Sequence, residues 1–157
     1  MRLTRLVSRV YGILYLALAL LAAQAFADPA VPHQWRLVTN PSVSLNRVER
    51  MDVRSLYIMR VARWSNGERV ILTTLNTSSS EFKSFAHYLG LRTSQLKRRW
   101  NHKSFTGIGS QPAQFNDFAS MLDYIATTPG AVGYLPLSVD IENTDGVLVY
   151  DIAEEKP

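Results

Sequence analysis

Apolar positions recur along this chain with two periods, and the clearest is helical. Phe118, Met121, Leu122 and Ile125 fall at i, i+3, i+4 and i+7, which predicts one apolar face on a helix spanning Asn116 to Thr128. Asn116 stands where an N-cap belongs, since its side-chain oxygen can accept an orphan backbone N–H of the first turn. Pro129-Gly130 ends the helix, because proline cannot continue it and glycine tolerates positive φ. Ala131 to Leu135 is short and apolar, as a buried strand is. Upstream, Gln34 to Thr39 reads as a first strand, broken at Asn40-Pro41-Ser42 because the residue before proline leaves the helical region. Asn46 to Tyr57 reads as a helix with Val53, Leu56 and Tyr57 on one face and Ser44 as its cap.

Arg60 to Arg69 reads as a loop closed by the turn dipeptide Asn66-Gly67, with Trp64 folded over the core. Val70 to Leu75 is a continuous apolar and β-branched run, the pattern of a strand covered on both faces. The polar crossing Asn76 to Ser80 leads into a helix with Phe82, Phe85, Ala86 and Leu89 on its buried face. Ser78-x-x-Glu81 reads as its capping box and Gly90 as its end. Thr93 is placed to cap a further helix, which carries Lys97, Arg98 and Arg99 before Trp100. Gly146 to Ile152 alternates like an edge or terminal strand, and Ala153 to Pro157 is a charged tail. Strands alternating with helices predict an α/β fold, a mixed sheet flanked by helices.

Charge changes this picture once the first residues are set apart. Arg2, Arg5 and Arg9 precede an apolar stretch from Ile13 to Ala23 and an Ala25-Phe26-Ala27 site. That is the layout of a signal peptide, 1–27, cleaved after Ala27, and it leaves 28–157 as one periplasmic or secreted domain. The competing reading, an uncleaved anchor, needs an apolar run nearer ~20 residues. Residues 28–157 hold 14 Lys and Arg against 13 Asp and Glu, so the pI of 9.6 reflects the leader. It is therefore no nucleic-acid footprint, and contact with the membrane is expected only through the leader. The chain has no cysteine, which excludes disulfides, thiolate metal sites and cysteine nucleophiles.

Candidate chemistry is sparse. Thr77, Ser78, Ser79 and Ser80 follow a strand and open a helix, where backbone N–H groups and the helix dipole favour an oxyanion. The alternative is that these serines simply cap the helix. Lys97, Arg98 and Arg99, with Arg92, His102 and Lys103, form one basic cluster, either a docking face for a partner or a solvated helix surface. Thr106-Gly107-Ile108-Gly109 follows no strand and reads as a turn. His33, His87 and His102 are scattered, and Asp140, Glu142 and Asp145 lack the spacing of a full calcium loop, so no metal site and no cofactor are expected. No serine lies in a nucleophile elbow, and no catalytic residue is assigned; the chain does not read as an enzyme.

Trp100, Phe105 and Gly107, followed by a helix and then Thr128-Pro129-Gly130-Ala131-Val132-Gly133-Tyr134, resemble the C-terminal part of periplasmic phosphate-binding proteins. More specifically, the stretch is similar to the small single-lobe proteins described as phosphate ABC transporter substrate-binding protein-like. The likeness runs back through Arg63-Trp64-Ser65-Asn66-Gly67 and Leu56-Tyr57-Ile58 to Asn40-Pro41. It implies a single lobe of a type II periplasmic-binding-protein-like fold, and a solute-binding module that holds phosphate or another small oxyanion weakly. The alternative it leaves is a ligand-free lobe that docks an envelope protein through Lys97, Arg98 and Arg99. In the family the helix ending near Tyr57 runs into a glycine, whose place here is taken by Met59, so a different exit turn is expected. The family's loop Arg-x-x-x-Ser-Gly-Thr, half of its phosphate cage, maps through Phe85, Tyr88 and Leu89 onto Leu75, Ser79, Ser80 and Glu81. Only the serine is kept, and the resemblance implies that the bidentate arginine is lost and a carboxylate gained. The other half of the cage belongs to a first lobe that this sequence does not include.

Overall fold

The computed structural model describes residues 35–107, 109–140 and 146–153. The expected leader, Gln34, Ile108, Glu142 and Asp145 lie outside the described residues. In chain order the elements are β1 (Trp35–Thr39), α1 (Arg50–Tyr57), β2 (Ile71–Leu75), α2 (Ser80–Tyr88), α3 (Thr93–Phe105), β3 (Ala113–Phe115), α4 (Phe118–Thr127), β4 (Ala131–Pro136) and β5 (Leu148–Asp151). The strands form one sheet in the order β3-β2-β4-β1-β5. β2 runs parallel to β3 and β4, whereas β1 is antiparallel to β4 and β5. This is the mixed, helix-flanked α/β sheet that the patterning predicts.

Successive strand residues point to opposite faces, and the two cores divide accordingly. Trp35 and Leu37 of β1 and Val132 and Tyr134 of β4 enter one core with Tyr57, Phe82, Phe85 and Trp100. Val38, Ala131 and Leu135 enter the other with Leu75, Met121 and Ile125. In the first core the Phe85 and Tyr134 rings stack at 3.7 Å, and Trp35 meets both edge-on at 5.2 and 5.4 Å. Such pairs add about 0.5–1.5 kcal/mol each beyond area burial. The indole of Trp64 is buried too, and its N–H donates to the Gly130 carbonyl at 2.9 Å.

Helix starts differ from the sequence reading by small, explicable shifts. Asp117, not Asn116, caps α4: its backbone is extended and its carboxylate accepts from Ser120 N–H at 2.7 Å. α3 has Arg92 at its N-cap with no side-chain cap, and Thr93 is already helical. α1 begins at Arg50 rather than Asn46, because Val48 and Glu49 pair with Ala153 and are held extended. Glu49 and Asp52 form its capping box in place of Ser44. At the far end of α1, Met59 adopts φ 55°, the left-handed conformation that glycine adopts more readily, so the exit turn keeps its usual backbone with a side chain present. Met59 N–H bonds to Leu56 O and Arg60 N–H to Ser55 O, so the ordinary helix-ending turn forms despite the side chain. β3 was not predicted; three residues are too few to show a period, and pairing with β2 defines it.

Candidate functional site

Asn76 organises the loop after β2. Its N–H donates to Phe115 O at 2.8 Å, and its carbonyl accepts from Ser79 N–H at 2.9 Å. Its side-chain oxygen accepts from both the Ser78 N–H (3.0 Å) and the Ser78 hydroxyl (2.8 Å). Ser79 has an extended backbone and accepts from Phe82 N–H at 3.1 Å, so the cap of α2 is Ser79 and not Ser78. Glu81 therefore stands one residue nearer the helix start than a capping box would place it. Its carboxylate receives the Ser80 hydroxyl at 3.1 Å.

Thr77, Ser78, Ser79 and Ser80 are thus brought together around one helix start, but three of their hydroxyls are already engaged within the loop. The anion at the positive end of α2 is the chain's own. Hydrogen bonds from its own backbone N–H first, then from the Ser80 and Ser79 hydroxyls, hold the Glu81 carboxyl below the usual range. Leu75, where the resemblance puts an arginine, is buried in the second core, and its N–H donates to the Tyr134 hydroxyl at 3.2 Å. That hydroxyl also pairs with Thr74 at 3.1 Å, and burial raises its pKa to about 12.

The basic cluster lies elsewhere. Lys97, Arg98 and Arg99 are exposed on α3, while Trp100 turns inward and donates its indole N–H to Tyr57 O at 2.7 Å. Phe105, the second aromatic of the family-like signature, is 93% exposed. Among the described residues no hydrogen bond or ion pair joins this face to the Thr77–Ser80 loop, and no group of three His, Asp or Glu is placed to hold a metal. His87 and His102 are exposed and apart, and His33 is outside the described residues. Sequence reasoning missed the organising role of Asn76, although an Asn two residues before a polar N–H is the signature of an Asx-turn.

The fold has counterparts among solved structures. An ABC-type phosphate transport receptor from Vibrio cholerae matches 78% of this chain with a TM-score of 0.56 and 19% identity. PstS from Borrelia burgdorferi matches 79% with a TM-score of 0.58 and 11% identity, and a Clostridium perfringens protein with bound phosphate matches 77% with a TM-score of 0.57 and 11% identity. The fold of this chain is similar to part of the fold of these proteins. The chain spans about half the length of these structures, 47%, 49% and 44% respectively. No family model and no curated protein matches it. Among the described residues, no helix is long and apolar enough to cross a membrane.

Proposed function

We propose that this protein is a secreted or periplasmic binding module of the phosphate-transport type, which holds a small oxyanion weakly at the start of α2. The observation that carries this reading is the loop at Thr77–Ser80, within a fold shared with phosphate-binding proteins. The helix dipole and the first-turn N–H of Glu81 favour an anion there, the Ser78 and Ser79 N–H groups being held by Asn76, and the Glu81 carboxylate is the resident competitor for that position. An incoming oxyanion must displace the Glu81 carboxylate, and a buried Leu75 stands where the resemblance puts an arginine, so affinity is low. The test is thermal unfolding with phosphate titrated against chloride at matched ionic strength, in wild type and Glu81→Gln. A ligand that binds only the native state stabilises by RT ln(1 + [L]/Kd), about 2.7 kcal/mol at a hundredfold excess over Kd. A phosphate-specific rise, larger in Glu81→Gln, supports the reading; no phosphate-specific shift in either protein refutes it.

A second reading, a ligand-free lobe that docks an envelope protein, is favoured by one observation. Lys97, Arg98 and Arg99 all face solvent on a helix anchored by Trp100, free of ion pairs among the described residues. Changing the three to Glu abolishes capture of an envelope partner on this reading, with the unfolding midpoint retained.

A further inference from the structure

At the opposite end of β2 from the Thr77–Ser80 loop, the surface forms an open recess of about 480 Å³, with Arg60, Arg63 and Arg69 exposed at its mouth. A five-residue strand separates the two regions by roughly 17 Å at about 3.3 Å per residue. Arg60, Arg63, Arg69 and Lys103 line the recess, and no carboxylate does. None of these four cations is in an ion pair among the described residues. Arg63 and Arg69 face each other across an antiparallel bridge, an arrangement in which like charges destabilise the pairing. The Arg63 guanidinium donates to the Gly67 carbonyl at 2.8 Å, across the turn that Arg63 and Arg69 flank. Ile71 and Tyr124 supply an apolar lining, and the left-handed turn at Met59 brings the chain round to form one wall.

The charge belongs to a wider segregation. From Arg54 to Lys103 the chain has ten Lys and Arg and only two acids, Glu68 and Glu81. Glu68 accepts the Ser42 hydroxyl at 2.6 Å and does not line the recess, and Glu81 is held at the start of α2. Uncompensated cations converging on a recess raise the local concentration of anions. The volume lies within the roughly 300–1,000 Å³ of small-molecule sites and is far larger than one phosphate group requires. Guanidinium groups match phosphate and carboxylate oxygens in a bidentate fork.

We propose that this recess is a second anion site, distinct from the start of α2, which takes a compact polyanion of three or more charges, an oligophosphate or a tricarboxylate. Calorimetry on the full chain with tripolyphosphate, citrate and orthophosphate at matched ionic strength tests this. The expected result is one-site binding of tripolyphosphate or citrate, about tenfold or more tighter than orthophosphate. Which of the two binds separates the phosphate from the carboxylate source. Arg60→Gln with Arg69→Gln weakens that binding by about tenfold or more, while Arg98→Gln with Arg99→Gln leaves it nearly unchanged. If the double variant does not fold, each single variant is expected to lose about threefold, half of the tenfold effect on a free-energy scale. Failure of both polyanions to bind overturns the proposal. So does an equal loss in the two pairs of variants, which would leave only diffuse attraction to a basic surface.

Discussion

Gly133 lies in the middle of β4, between the two sheet neighbours that define the centre of the fold. A methyl group built on it would come within 2.6 Å of Thr73 Oγ1, 2.7 Å of Ile125 Cδ1 and 3.3 Å of Met121 Cε. Thr73 cannot yield cheaply, because its hydroxyl donates to Val132 O at 3.0 Å and the residue is fully buried. Ile125 and Met121 lie fully buried on the inner face of α4, so their side-chain ends must shift within a packed core or that helix must lift from the sheet. Overpacking of this kind costs about 1–3 kcal/mol, against which the stiffer unfolded chain of alanine returns roughly 0.4–1 kcal/mol. Gly133→Ala should therefore lose about 1–2 kcal/mol net and lower the thermal midpoint by about 5 °C or more. Ile125→Val removes the clashing Cδ1; alone it should cost about 0.5–1.5 kcal/mol, but in the Gly133→Ala background it should cost less or restore stability. Circular dichroism on the four proteins of the cycle measures the coupling. A neutral or stabilising Gly133→Ala, or strict additivity with Ile125→Val, would refute the argument that glycine is required here for close helix–strand approach.

Met59 pays roughly 1 kcal/mol for its left-handed conformation, so Met59→Gly should match or exceed wild-type stability and Met59→Val should fall below it; the reverse order of midpoints contradicts the turn assignment. Trp100→Phe leaves the Tyr57 carbonyl without its donor and opens a gap, a loss of about 2 kcal/mol or more in urea unfolding. At alkaline pH, Tyr134 keeps its proton to about 12 when folded but only to about 10 when unfolded. Its stabilising effect is complete below pH 10 and is lost as pH rises towards 12, so Tyr134→Phe should flatten that limb of the stability curve. At acid pH the sign reverses. Glu81 and Asp117 are held below their ordinary values by hydrogen bonds at helix starts, so their contribution is full above the unfolded carboxylate range and lost as pH falls through their folded pKa values. Glu81→Gln with Asp117→Asn should shrink the acid-limb slope, and an unchanged slope would contradict those bonds.

Elements whose signal is local and repeated could be read from the residues alone. The i, i+3, i+4, i+7 face of α4, the apolar run of β2, the alternation around Leu148–Asp151 and the stops at Gly90 and Pro129-Gly130 are all written within a dozen residues. The α/β class follows from their order. Features set by partners far along the chain became visible only in the folded molecule. Helix α1 starts late because Val48 and Glu49 are paired with Ala153, about a hundred residues away. Three residues become β3 only through β2 beside them. The choice of Ser79 over Ser78 as cap depends on Asn76, whose own position is fixed by Phe115. The Thr77–Ser80 loop could be located from sequence, but not that Glu81 supplies its anion, because that needs the side-chain geometry of the first turn. Arg60, Arg63, Arg69 and Lys103 are spread over more than forty residues of sequence, and no period or motif links them. They share a recess because a left-handed Met59, a two-arginine bridge and the end of α3 bring them to the same end of β2.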